Sequence, residues 1–253
     1  MVGFSETQLL AWLTPLLWPL LRALALLATL PVFSQRAVPA RVKIGLALFI
    51  AIAAQPTLPA IAVVPLDSPA AVLRTVQQVL VGVTLGFAVR VIFAAIELGG
   101  EIIGLQMGLN FAGFFDPVSA SQGTASSRFF GTMVGFLFVL SGGHLAVTEA
   151  LIRSFEVFPV GDDPFAFLRA TQPQAWGGEI FALGLWIALP LVGMLLFVNL
   201  VLGVVARVAP QLSVFSIGFP VTVSVGLVGM LLTLPLMERP FAEALLRMLT
   251  LFR

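Results

Sequence analysis

The sequence predicts an all-α membrane protein built of apolar helical hairpins around one irregular central loop. Three observations carry that expectation. The 253 residues are 59% hydrophobic and only 10% charged, against about 25% charged in soluble domains. Mean hydropathy is +1.08. The apolar residues also fall into long stretches, each of which approaches or exceeds the roughly 20 residues a helix needs to cross a bilayer.

Taken in order, the stretches lie at about 9–31, 42–61, 71–98, 129–152, 179–206 and 212–237, and read as six candidate spans. Pro15 and Pro19 interrupt the first, and Gln55-Pro56 and Pro59 end the second. No Lys or Arg precedes the first stretch, Glu6 does, and Arg22 lies inside it. The segment is therefore expected to be a retained helix rather than a signal peptide. The third stretch runs on into residues 101–123, and Ser141-Gly-Gly-His144 marks a helix end and a new start. Pro210, in the short turn Arg207-Val-Ala-Pro-Gln211, limits helix continuation between the fifth and sixth stretches. The tail from Phe241 to Arg253 mixes Arg247 and Arg253 with Leu and Phe and reads as an amphipathic helix. Arg36, Arg41 and Lys43 have no acid nearby, which puts the first connection on the cytoplasmic side. Asp67 and Asp162-Asp163 are then expected outside and Arg207 inside. The chain divides by composition into residues 1–173, which contain the central loop, and 174–253, a pair of long helices.

The central stretch runs Glu101-Ile-Ile-Gly-Leu-Gln-Met-Gly-Leu-Asn-Phe-Ala-Gly-Phe-Phe-Asp-Pro117 and continues through a hydroxyl-rich run to Ser127. Gly100, Gly104 and Gly108 recur every four residues, a small-residue stripe that lets helices approach closely. It serves either packing within the chain or a seam between subunits. Arg90, Glu97 and Glu101 share roughly one helix face. They belong either in the headgroup region or in ion pairs, and two acids four residues apart need a cation from elsewhere. Arg74 or another chain would supply it. Phe111, Phe114 and Phe115 follow, between the backbone freedom of Gly108 and Gly113 and the turn signal Asp116-Pro117. Apolar bulk of this kind either packs a core or narrows an aqueous path to a dry constriction. Met107 and Asn110 introduce the segment. Non-helical backbone at membrane depth survives only where protein buries it or it lines a cavity.

Composition excludes several functions. There are no cysteines and a single histidine, His144, so thiol chemistry, disulfides and His/Cys metal sites are absent. No phosphate-binding loop, dinucleotide fingerprint or HExxH motif occurs. No basic-aromatic pattern of the kind nucleic-acid binders show is present. Neither an enzyme nor a cofactor is expected.

Four ordered blocks resemble the type III secretion export-gate family in its flagellar form. They are Phe33-Ser-Gln-Arg-Ala-Val-Pro-Ala-Arg-Val-Lys-Ile-Gly-Leu-Ala47, Gly104 to Pro117, Gly142-Gly-His144 with Ser154 to Gly161, and Ala206 to Pro220. The resemblance implies a non-enzymatic subunit whose fold is a FliP-like part fused to a FliQ-like hairpin, matching the two composition halves. It implies assembly with FliP and FliQ into a pseudo-hexameric gate in the bacterial inner membrane, raised toward the periplasm within the flagellar basal body. FlhB and FlhA would be neighbours, membrane lipid would surround it, and unfolded flagellar substrates would pass. The family's plug loop maps to about Met107–Gln122, its closing phenylalanines to Phe111 and Phe114. Phe115 stands where an aliphatic residue is common, Ser141 departs from the small polar residue often found there, and nothing carries over beyond Pro240. Arg207 joins Arg90, Glu97 and Glu101 as a candidate for charge pairing between subunits. An injectisome counterpart would share the mechanism, and the 33–47 block favours the flagellar form. A self-contained transporter would need an inverted repeat and a midplane site, and a pure scaffold would leave the 110–127 loop unexplained.

Overall fold

The structure is a computed structural model and describes residues 6–35, 37–59, 61–109, 123–161, 163–209 and 217–253, with side chains from residue 13 onward. Among the described residues all regular structure is helical, as the apolar stretches predict. The helices are α1 (Glu6–Thr29), α2 (Pro31–Ser34), α3 (Ala40–Ala54), α4 (Pro69–Gln106), α5 (Ala125–Leu140), α6 (Gly143–Val157), α7 (Ala166–Thr171), α8 (Gly177–Val208), α9 (Phe219–Thr233) and α10 (Glu238–Leu249). Among the described residues, four helical stretches are long and apolar enough to cross a membrane, or five if α5 and α6, which meet at a break, count as one. Of the six expected stretches, the first lies in α1, a helix of 24 residues, and the fourth is broken between α5 and α6. Gly142 makes the break: at φ 72 it adopts the left-handed conformation that glycine tolerates, and α6 starts after it.

α1 differs from the sequence expectation in one respect, since it runs unbroken through Pro15 and Pro19. Each proline removes one backbone donor, a loss that helices in apolar surroundings tolerate when neighbours take up the freed group. α10 follows its expectation. Phe241, Leu245, Met248 and Leu249 are buried at helical spacing while Glu238, Arg239, Glu243 and Arg247 are exposed.

The chain folds as two compact units. One comprises residues 1–90, 142–176 and 245–253. Here α3 lies along α1, and the first part of α4 meets α1 where glycines stand. A side chain at Gly86 would collide with Thr29, and one at Gly82 with the backbone of Arg22. An aromatic chain of Phe167, Phe158, Phe252 and Trp176 stacks edge to face, with centroids 6.2–6.5 Å apart. Arg22 is fully buried at the centre, one turn beyond the buried Trp18. Its guanidinium donates to Gln78 Oε1 at 2.7 Å, Ser154 Oγ at 2.8 Å and the Phe158 carbonyl at 2.8 Å. The Phe155 ring lies 3.7 Å beneath it. All four of these partners are neutral. Three hydrogen-bond acceptors and a π face therefore stabilise a charge that costs about 2.5–3.5 kcal/mol to insert in an apolar helix. At the edge of the unit Asp163 accepts the Phe165 N–H at 3.0 Å and the Arg169 guanidinium. Those bonds hold its carboxyl below the usual carboxylate range.

The other unit comprises residues 91–141 and 177–244. The second part of α4 forms its core. Val91, Ile92, Phe93, Ala95, Ile96 and Ile103 are buried there. α8 and α9 form a hairpin, with Leu191 and Met194 of α8 against Gly229 of α9. The opposite faces stay open: Trp186, Phe197, Leu200, Leu231 and Leu232 are exposed.

Arg22→Met should strand Gln78, Ser154 and the Phe158 carbonyl, costing about 1–3 kcal/mol for each buried group left unsatisfied. Thermal unfolding in detergent should show a lower midpoint for Arg22→Met than for Arg22→Lys, which keeps one charged donor. Because Asp163 has a depressed folded pKa, its stabilising contribution is present above the unfolded value of about 3.9 and fades as pH falls through the folded value. Hydrogen exchange of residues 163–171 should accelerate below about pH 4, and Asp163→Asn should remove that dependence.

Candidate functional site

The central stretch begins as the last turns of α4. Helix geometry ends at Gln106, and Gly108 then takes φ 79. On the far side Gly123 takes the same φ of 79 immediately before α5. Residues with side chains adopt this conformation only at a cost, so the backbone turns sharply at glycines on both sides of residues 110–122. Asn110, Phe111, Phe114, Phe115, Asp116 and Pro117 lie outside the described residues. Their anchors are described.

Met107, fully inside the protein, is held by α9. Its side chain lies against Gly226, where a Cβ would fall 2.6 Å from the Met107 sulfur, and its carbonyl faces the Thr222 hydroxyl at 3.5 Å. Thr124 is held by α4. Glu101 Oε2 accepts both the Thr124 N–H at 2.9 Å and its hydroxyl at 3.0 Å. Thr124 Oγ1 in turn accepts the Ser127 N–H at 3.2 Å, capping α5. α5 has no acid in its own first turn. Glu101 thus supplies from another helix the negative charge that a helix N-terminus favours.

The glycine stripe lets the two stems come together. A Cβ on Gly104 would lie 2.5 Å from Thr124 Oγ1 and 2.9 Å from its Cβ. One on Gly100 would lie 2.7 Å from the Phe130 ring. Gly100 and Gly104 therefore face α5 inside the chain, whereas Gly108 is beyond the helix. Gly99, on an adjoining face, meets the Gly184 carbonyl of α8 at 3.0 Å by the same construction.

Of the charged candidates, Arg90, Glu97 and Arg207 are exposed and Glu101 is half-buried. The Glu97 carbonyl accepts the Ser127 hydroxyl at 3.1 Å, and its side chain borders Gly131. Arg207 occupies the last turn of α8, where a cation suits the helix dipole. Arg74, considered as a partner for the acids, donates to the Ala62 carbonyl at 3.1 Å. His144 is exposed in the first turn of α6.

Sequence reasoning missed three anchors, Thr124, Thr222 and Gly226. Thr124 was discoverable, because a threonine before an apolar run is an N-cap signal. The hydroxyl-rich run is also not all loop: Ala125, Ser126 and Ser127 form the first turn of α5, and Ser126 is buried. Nothing in the sequence pairs Thr222 or Gly226 with a methionine more than a hundred positions away.

Comparison with known proteins bears on the whole chain. Residues 13–248 match the family described as bacterial export proteins, family 1. The chain is 46% identical over 248 residues to flagellar biosynthetic protein FliR of Escherichia coli K12, covering 97% of this chain and 93% of that protein. It is 44% identical, with the same coverage, to FliR of Pectobacterium carotovorum. FliR of Aquifex aeolicus is 34% identical over 229 residues, 89% of this chain and 87% of that protein.

The clamp makes a quantitative expectation. Glu101→Ala and Thr124→Val should each cost about 1 kcal/mol, the usual value of a lost cap. Both remove the bond from the Thr124 hydroxyl to Glu101, while the bond from the Thr124 N–H is lost only with Glu101 and the cap on Ser127 only with the hydroxyl, so the double variant should fall short of the sum of the single losses by about 0.5 kcal/mol. Equilibrium unfolding in detergent measures it.

Proposed function

Since the chain belongs to the bacterial export proteins, family 1, and is a component of flagellar export, we propose that it is a subunit of the export gate whose central segment seals the protein-conducting channel at rest. The gate is built with FliP and FliQ, residues 1–173 forming the FliP-like part and 174–253 the FliQ-like hairpin. The apolar helices fit an inner-membrane location. Within the basal body the assembled gate rises toward the periplasm, with FlhB and FlhA as neighbours. The protein performs no chemistry on its cargo; it binds, positions and excludes.

The observation that carries this reading is the pair of fixed stems. Residues 110–122 join two points that α9 and Glu101 hold by separate contacts, so the segment between them is presented from a defined base. It carries Phe111, Phe114 and Phe115 together with glycine and small hydroxyl residues. A gate must stop ions at rest and admit an unfolded chain when active. Apolar bulk at a constriction excludes water and therefore ions. It also yields to a passing polypeptide without breaking any strong bond. The stems stay fixed by contacts that the phenylalanines do not make. The open faces of α8 and α9 (Phe197, Leu200, Leu231 and Leu232 among them) suit contact with other subunits or lipid. Arg90 and Arg207 are exposed and suit charge pairing there, Glu97 is exposed on the same helix as Arg90, and Glu101 suits it less because Thr124 occupies one of its oxygens.

Replacing Phe111 and Phe114 by Gly, or shortening 110–122, should raise ion and small-solute leak in cells that co-express the gate partners, while the protein still assembles. A membrane that stays tight in such variants would refute the sealing role. Deleting the gene should abolish motility.

A further inference from the structure

Between Glu6 and Asp67 the sequence contains no acidic residue, yet it carries Arg22, Arg36, Arg41 and Lys43. Arg22 is buried and hydrogen-bonded to neutral groups. Arg36 lies outside the described residues. Arg41 and Lys43 fall in the opening turn of α3. Arg41 is exposed and Lys43 half-exposed, and neither side chain has a hydrogen-bond or ion-pair partner among the described residues. A cation at a helix N-terminus adds to the positive end of the dipole rather than offsetting it. The site therefore holds a concentrated positive charge that the neighbouring sequence does not neutralise.

The rest of α3 defines what lies alongside. Its small residues Ala47, Ala51 and Ala54 are buried, and α1 is the helix it packs on. Its large residues point away: Val42, Ile44, Leu48, Phe49 and Ile52 are 37–70% exposed. From Arg41 to Ile52 a helix rises about 17 Å, close to half of the roughly 30 Å hydrocarbon thickness. Cations at one end and an apolar flank the depth of one leaflet match a single layer of lipid, with headgroup at Arg41 and Lys43 and acyl chains along Leu48 to Ile52.

We propose that this face of α3 is a docking surface for anionic phospholipid of the cytoplasmic leaflet, whose phosphodiester groups neutralise Arg41 and Lys43. Zwitterionic lipid would fill the apolar flank equally well but would bring no net charge. A protein neighbour would need acids placed opposite both cations. The proposal does not depend on the sealing role of the central segment.

The absence of native cysteine makes a clean test possible. The full chain carrying Ala37→Cys, labelled with a fluorescent donor, is reconstituted in phosphatidylcholine vesicles. A trace of acceptor-labelled phosphatidylglycerol or acceptor-labelled phosphatidylcholine is included. Transfer should report enrichment of phosphatidylglycerol over phosphatidylcholine, falling about fivefold with each of Arg41→Gln and Lys43→Gln and reaching parity in the double variant. Raising salt should weaken it, and the charge-retaining pair Arg41→Lys with Lys43→Arg should keep it. Equal transfer to both lipids overturns the proposal, as does a preference that survives in the double glutamine variant. The same measurement on the complex with co-expressed gate partners must keep the enrichment. A donor shielded there from both acceptors would mean that a protein covers this face, which also overturns it.

Discussion

The fold depends on how closely other helices approach α4. The tightest of the described approaches fall at glycines: Gly82 and Gly86 toward α1, Gly99 toward α8, Gly100 and Gly104 toward α5. Among lipid-soluble helices the hydrophobic effect gives little reason to associate, so backbone proximity and the dispersion contacts it permits do more of the work. A methyl group at Gly104 would press on the branched Cβ of Thr124, which cannot swing away as the end of a long side chain can. That proximity is what brings the Glu101 carboxylate within reach of the α5 N-terminus. The hydrogen-bonded clamp at the base of the central segment follows from the glycine spacing.

Two of the polar sites, one buried and one half-buried, obey the same rule by different routes. Arg22 meets acceptors from α4, α6 and the chain beyond α6. Thr124 and Glu101 satisfy each other at a helix end. In neither case is the charge paired with its opposite, and in both the partners are short polar side chains or main-chain groups. Such sites specify geometry, since an acceptor displaced by an ångström ceases to be one. A greasy contact would tolerate the same displacement.

Much of this was legible in the sequence, and the limits have physical causes. Long apolar runs fixed α4 and α8 because nothing else in a chain of this composition reads that way. The break before α6 was visible in Ser141-Gly-Gly-His144. The continuity of α1 was not, because two prolines in one run normally signal interruption and only the surroundings decide whether they kink. Glu97 and Glu101, four apart on one face, looked like a pair in need of a cation. Glu101 instead serves a threonine 23 positions on, a pairing that no local periodicity contains. Arg22 went unweighted as a hub although the signal was present: a lone cation in an apolar run, with Gln77-Gln78 in another. Polar residues in apolar helices announce that partners exist, but the sequence does not say which ones.

Arg22 also imposes an order on biogenesis. Its first acceptor, Gln78, follows it by 56 residues, and the Phe158 carbonyl by 136. At a synthesis rate of about 5–20 residues per second, the last partner emerges roughly 7–27 s after the arginine. During that interval the guanidinium on α1 lacks at least one of its acceptors and has no finished site to occupy. The helix must wait at the membrane surface, in the translocation machinery or against another protein until α4 and α6 arrive. The first helix made is then among the last to settle, and the interior of its unit closes only once more than half of the chain has been translated.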